Sequence, residues 1–383
     1  MKPLLYLDHA AITPVRPEAK AAVLAALDTF GNPSSVHAAG RAARDLLDRA
    51  RGQVAGALGA QPSEIVFTSG ATESAALALR GVLGASPAGR DDLVVTAVEH
   101  PCVLGLAEAL RAEGRRVTVL PVDGRGLPDP DLARQAVTSR TALVCAMVAN
   151  NETGVLLPVR ELAATAREQG ALFFTDAVQA VGKVEVDVRT LGADLVALTG
   201  QKFGGPRGAG ALWVKSGLRL APLLGGSQER GRRAGTENLP GVAGLGAALE
   251  AASQRREVEA PRLAALRARL ESGLLAAIPG ARVNGAGAPR LPNVLSITLP
   301  GVDAEALLMA LDLEGLCASA GSACHSGSTK PSSVLSAMGL SVAEARATLR
   351  LSLGWTSTEA EVDGALELIP PLAARVRAEI PAA

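Results

Sequence analysis

Leu143-Val144-Cys145-Ala146-Met147-Val148 and Leu172-Phe173-Phe174-Thr175 are two short apolar runs separated by a helix-length pattern over Val159–Gln169. Strands joined in this way lie parallel, because an antiparallel pair closes with a tight turn whereas a parallel pair needs a crossover of a dozen residues or more. The same reading extends outward on both sides. Strand-like runs recur at Ile65–Thr68, Leu93–Val98, Val117–Leu120, Leu195–Thr199 and Ala211–Val214, with helical patterns over Val36–Leu58, Glu73–Leu83 and Val103–Glu113. Right-handed crossovers then give an α/β fold with a mostly parallel, seven-stranded sheet covered by helices on both faces. In such sheets ligands gather where strands end and the next helices begin.

The alternation lapses after Gly226. A helix from about Pro240 to Leu275, rich in Ala, Glu and Arg, leads to a strand at Asn293–Leu299, a helix at Ala304–Leu313 and a last helix from Thr358 to about Ala378. The organisation expected is a large domain over residues 16–255 and a smaller α/β domain built from residues 1–15 and 256–383. The small domain would carry a loop, about 318–330, of small residues around Cys324.

Bulk composition narrows the function. A chain of 383 residues exceeds the usual single-domain size. Lys plus Arg and Asp plus Glu both number 38, so nothing favours nucleic acid or an anionic membrane as an obligatory partner. Aromatic residues make up only 2%, which leaves no stacking platform for single-stranded nucleic acid. The N-terminal Met1–Asp8 does not read as a signal peptide, and the longest clean apolar run, about Ala142–Ala149, is far short of the roughly 20 residues of a membrane helix. Four cysteines with no C-x-x-C pair make a disulfide scaffold or a metal site improbable. A cytoplasmic protein is expected.

Chemistry-bearing residues follow the strands. Thr68-Ser69-Gly70-Ala71-Thr72-Glu73-Ser74 is a Gly-containing turn opening a helix, whose N–H groups and dipole favour an anion; it can equally be a simple N-cap. His100 in Glu99-His100-Pro101 is either a structural histidine or one that stacks on a flat ring and moves protons. Asn150–Gly154 alone is a turn. Asp176 can cap a helix or pair with a protonated ring nitrogen, and Gln179 one turn on can reach the same ligand. Lys202, in Thr199-Gly200-Gln201-Lys202-Phe203-Gly204-Gly205, is a surface charge or a Schiff-base amine. What decides is the order: Thr72, His100, Asn151, Asp176, Gln179 and Lys202 all follow strand-like runs, which places them on one ligand-binding edge. Cys324 sits in the run Ala318–Thr329 of small residues, a setting suited to a reactive thiol rather than a core position, while Cys102, Cys145 and Cys317 read as core or supporting residues.

Taken in order, Tyr6-Leu7-Asp8, Gly31-Asn32-Pro33-Ser34-Ser35, Thr68–Ser74, Glu99-His100, Asn150–Gly154, Asp176–Gln179, Arg233–Asn238, Gly321–Cys324 and Arg350–Gly354 resemble the cysteine desulfurases of the NifS/IscS type. These belong to the class V aminotransferase group of fold-type I enzymes dependent on pyridoxal 5'-phosphate (PLP). The resemblance spans about residues 6 to 355, and Pro331–Leu335 after the cysteine loop is similar to the long-loop subgroup. It implies Lys202 as the amine that carries PLP, Asp176 at the pyridine nitrogen, Gln179 at the ring hydroxyl and His100 stacked on the ring. It further implies Ala71, Thr72 and Thr199 at the phosphate, with Thr236 supplied by the partner of a homodimer. Asn151 and Arg350 would hold the carboxylate of L-cysteine with Asn32 close by. Cys324 would take the sulfur as a persulfide and pass it to a protein acceptor, an iron–sulfur scaffold or a thiolation enzyme. One position departs from the family: Gln201 stands where a His usually precedes the lysine, so a phosphate contact there loses its titratable ring. Alternatives to weigh are a selenocysteine lyase or other β-lyase, and a non-catalytic scaffold for sulfur transfer.

Overall fold

The structure, a computed structural model, describes residues 4–320 and 331–379. A short strand β1 (Leu5–Tyr6) precedes the helices α1 (Pro17–Leu27) and α2 (Ala38–Leu58). Strand and helix then alternate through β2 (Ile65–Thr68), α3 (Ala71–Ala85), β3 (Asp92–Thr96), α4 (Pro101–Ala112), β4 (Val117–Leu120), α5 (Pro130–Ala136), β5 (Thr141–Cys145), α6 (Val159–Glu168), β6 (Leu172–Asp176), α7 (Val188–Leu191), β7 (Leu195–Thr199) and β8 (Gly210–Val214). The rest of the chain is α8 (Leu239–Ala277), β9 (Arg282–Val283), β10 (Val294–Thr298), α9 (Ala304–Leu313), β11 (Leu316–Cys317), β12 (Ser319–Ala320), α10 (Ser333–Ala337), α11 (Val342–Arg346), β13 (Thr348–Ser352) and α12 (Glu359–Glu379).

Seven strands form the large sheet in the order β2-β8-β7-β6-β5-β3-β4. The neighbours from β7 to β4 run parallel, and β8 is antiparallel to both β7 and β2. Strands such as β5 and β7 are buried throughout and carry no alternation, the pattern of a sheet covered on both faces. Side chains of the two faces pack into separate apolar clusters, one with α2 and the first part of α8, the other with α3 and α4.

A second sheet, β12-β13-β10-β9, is antiparallel, and β1 pairs with β11 beside it. Its apolar cluster contains Leu7, Leu263, Leu266, Leu270, Leu274, Leu295, Ile297, Leu349, Leu351 and Ile369. The 39-residue α8 serves both bodies. Its first half, Leu239 to Ala252, packs against the large sheet's layer, while its second half carries leucines at 263, 266, 270 and 274, a helical spacing, toward the small sheet.

Candidate active site

The carboxyl ends of the parallel strands point toward one cavity of about 450 Å³. Strand β6 ends at Asp176, whose Oδ1 accepts a hydrogen bond from the Val178 N–H at 2.9 Å. Burial raises this carboxyl from its ordinary value to about 6, and the charge of Lys202 works in the opposite direction. An anionic Asp176 is thus a buried charge that a cationic ligand would stabilise. The Gln179 side chain donates through Nε2 to the Ala10 carbonyl at 2.9 Å, and its Oε1, buried, meets no hydrogen-bond partner among the described residues.

Lys202 follows β7 on a single turn of 3₁₀ helix. Its Nζ donates to the carbonyls of Ala10 at 2.9 Å and Ala11 at 2.5 Å. Residues 10–12 therefore form a wall of the cavity, held by Gln179 and Lys202 through main-chain oxygens. Glycine is required nearby: a Cβ on Gly210 would come within 2.6 Å of the Gly70 Cα and 2.8 Å of the Leu198 oxygen. That close approach of β8 brings Thr199 and the first turn of α3 together at one side of the cavity.

At that side α3 presents its N-terminus, with Gly70 as an N-cap that supplies no side chain to its own amides. The opening N–H groups at Ala71 and Thr72 point along the helix axis, where an anion is favoured. Glu73 is turned away from this role, accepting from the Ser69 N–H at 2.7 Å and pairing with Arg233 at 2.8 Å. On the opposite side Arg350, in the middle of β13 and only 2% exposed, donates to the Asn151 carbonyl at 3.0 Å and to Asp8 Oδ1 at 2.8 Å. Its Nε and the Asn151 Oδ1 are buried without partners among the described residues. Together they offer a donor and an acceptor to a small polar molecule.

Ala71, Thr72, His100, Asn151, Asp176, Gln179, Thr199, Gln201, Lys202 and Arg350 all line this cavity. Asn32 and Thr236 do not: Asn32 is exposed in a turn where its Oδ1 accepts from the Ser34 N–H, and Thr236 is exposed beside a separate cavity of about 210 Å³. Cys324 lies outside the described residues. Cys102, expected as a core or supporting residue, packs against the apolar cluster under α3 and α4 and takes the supporting place. It is half-buried, lines the cavity and lies 3.0 Å from His100 Nδ1, because His100 caps α4 and the cap brings the side chain of the second helical residue up beside it. Among the lining residues that the sequence did not single out are Ala10, Ala11 and Ile12. Their signal is weak, since carbonyl oxygens carry no residue identity.

A helix-capped anion site, a buried carboxylate, a lysine at a strand end and a buried arginine on one parallel sheet define a class of fold, and the chain compares with known proteins accordingly. The family description "Aminotransferase class-V" matches residues 5–364. The chain belongs to this family, in the company of the cysteine desulfurases. It is 46% identical over 380 residues to a cysteine desulfurase of Trichormus azollae, covering 99% of this chain and 95% of that one. With the cysteine desulfurase NifS of Azotobacter vinelandii it shares 44% over 376 residues, 97% of this chain and 93% of the other. Among solved structures, a NifS-like protein superposes with a TM-score of 0.90 at 33% identity, covering 97% of this chain and all of that one (100%). Enzymes of this family depend in general on PLP.

Proposed function

We propose that this chain is a PLP-dependent cysteine desulfurase, converting L-cysteine to L-alanine and leaving the sulfur as a persulfide on Cys324. The observation that carries the reading is the meeting of Lys202, Asp176, Gln179 and Arg350 in one cavity, where Gln179 Oε1, Asn151 Oδ1 and Arg350 Nε are buried without partners among the described residues. Buried polar atoms are costly unless satisfied, so three left unsatisfied on residues that line one cavity fit a site that a ligand completes.

The residues present fit PLP. Lys202 would hold it covalently, Asp176 would keep the proton on its ring nitrogen, Gln179 would face its ring hydroxyl and His100 would stack on the ring. Ala71, Thr72, Thr199 and Gln201 would hold its phosphate at the α3 N-terminus, with Thr236 coming from the second subunit of a homodimer. When bound, PLP supplies an electron sink for charge that develops at the substrate carbon.

The chain's own groups account for the rest. The guanidinium of Arg350 matches a carboxylate bidentately and, with Asn151, would orient L-cysteine by its carboxylate. Asp8 fixes that guanidinium from behind. The Lys202 amine and the His100 imidazole would take and return protons at the substrate. The Cys324 thiolate would attack the substrate sulfur: an S–S bond forms, the C–S bond breaks, and the carbon keeps its electron pair and gains a proton to become alanine. Burial raises the thiols of Cys102, to about 12, and Cys145, and Cys317 is raised as well, so these three are poor nucleophiles.

The persulfide would pass to a protein acceptor, an iron–sulfur scaffold or a thiolation enzyme. We assign residues 16–255 to a large domain, and residues 1–15 and 256–383 to a small one; the division of α8 between two apolar clusters supports this boundary. None of the helices among the described residues is long and apolar enough to cross a membrane, in keeping with a cytoplasmic enzyme.

The test is incubation of PLP-loaded protein with L-cysteine and a reductant, measuring sulfide and alanine, with Cys324→Ala alongside. Equal yields of both products from wild type and neither from a mutant that stays yellow are expected. A mutant as active as wild type would sink the persulfide step and leave β-elimination as the reaction.

A further inference from the structure

The half-buried thiol of Cys102 has no part in the sulfur transfer described above, yet it lies in the cavity with Thr72 and His100. Its backbone N–H donates to His100 Nδ1 at 3.2 Å, the N-cap bond of α4, and its Sγ is 3.0 Å from the same nitrogen. The Thr72 side chain hydrogen-bonds the sulfur as well. We propose that Cys102 is a positioning residue for His100: with its own backbone amide it makes Nδ1 an acceptor, keeping the imidazole neutral with its proton on Nε2, and it ties the ring to Thr72 at the first turn of α3.

The chemistry runs as follows. A ring nitrogen that accepts a hydrogen bond carries no proton, so the neutral imidazole holds its proton at Nε2. Protonating Nδ1 as well would set one N–H against another. Donors aimed at the unprotonated nitrogen favour the neutral ring and lower its affinity for a second proton. The thiol can play this donor part because its own pKa is raised to about 12, by burial first and by the charge of Asp176 next, so it keeps its hydrogen. Asp176 at the end of β6 and Glu99 just before α4 act on the sulfur, and Glu73 on α3, Lys202 after β7 and Arg350 on β13 line the same cavity. Glu99 is itself raised to about 7 by complete burial, so the carboxyls provide less pull toward an imidazolium than their number suggests.

The inference rests on His100 working at the cofactor face, as proposed above, and the experiment separates the two. Holoenzyme labelled with 15N-histidine would be titrated by NMR, with His100→Gln identifying the His100 signals. Wild type should show the neutral ring protonated at Nε2. In Cys102→Ala the His100 titration midpoint should rise by about half a pH unit or more, and the acid limb of kcat/KM should move the same way. Cys102→Ser, which restores a donor of similar size, should bring both back toward wild type. A wild-type ring protonated at Nδ1, or a midpoint that is the same in Cys102→Ala, overturns the proposal. Full desulfurase activity in His100→Gln would instead overturn the role of His100 while leaving the tautomer result standing.

Discussion

Single residues at strand ends were legible because a parallel sheet sends each of them to the same edge. Asp176, Gln179, Lys202, His100 and Thr72 each have a plain alternative use when met alone, and only their common place after strands joined them. Residues that act through the main chain left no such trace, which is why Ala10 and Ala11 emerged only from the fold. Arg350 was read from its resemblance, and its geometry gives it a sharp test. Its guanidinium is held by Asp8 and the Asn151 carbonyl, with Nε left for a ligand. A lysine keeps the charge but cannot present the planar fork. Arg350→Lys should raise KM for L-cysteine by about ten- to a hundredfold, roughly 1.4–2.8 kcal/mol, with a smaller loss in kcat. Steady-state kinetics with alanine as the measured product checks this, and an unchanged KM would remove Arg350 from the substrate site.

At the scale of elements, the parallel strands and their helices agree with the sequence pattern to within a few residues, whereas β13 was missed. Its sequence, Thr348-Leu349-Arg350-Leu351-Ser352, puts a charged side chain at the centre of a completely buried strand, and that hides the apolar signal. In the turn after β5 the sequence points to Asn151, but not to Glu152, which is buried and accepts a hydrogen bond from the Ser332 hydroxyl. Ser332 in turn caps α10, so the first helix after the segment that holds Cys324 is fastened to the turn that holds Asn151. Burial raises the Glu152 carboxyl from 4.5 to about 7. The folded state therefore binds this proton more tightly than the unfolded chain. Its contribution is complete below about pH 4.5 and is lost as pH rises through about 7. Glu152→Gln, neutral throughout, should lessen the loss of stability between pH 5 and 8, gaining about 1–3 kcal/mol at pH 8 relative to wild type. Denaturant melts across that range give the answer, and parallel pH curves for the two proteins would rule the mechanism out.

For the whole molecule, the large sheet's α2-side cluster and the small sheet's cluster are bound together by α8 and by the segment that precedes α1. Arg16 from that segment pairs with Glu259 on α8 at 2.7 Å and lies 5.3 Å from the ring of Trp355, so one side chain joins three distant parts of the chain. Elsewhere the surface is less complete: Leu24 and Leu27 on α1, and Phe30 and Val36 in the turn beyond it, are exposed, Phe30 to 91%. A run of large apolar side chains on one stretch fits a contact with a second copy, across which Thr236 would reach the Lys202 cavity that it does not line within its own chain. Sedimentation should show a dimer, and Leu27→Asp with Phe30→Asp should shift it toward monomer and weaken PLP retention; a dimer unaffected by both would place the interface elsewhere. Finally, the wall of the cavity supplied by residues 10–12, just after Asp8, imposes an order of events on synthesis. Asp8 meets its partner Arg350 across 342 positions, and β1 finds its neighbour only at β11. Emerging from the ribosome, the parallel sheet can begin to condense early, but its reaction chamber stays open until nearly the last turn of chain has been made. A nascent chain stalled before β13 would have its cofactor-facing residues in place but lack Arg350, and so could not seat the substrate carboxylate.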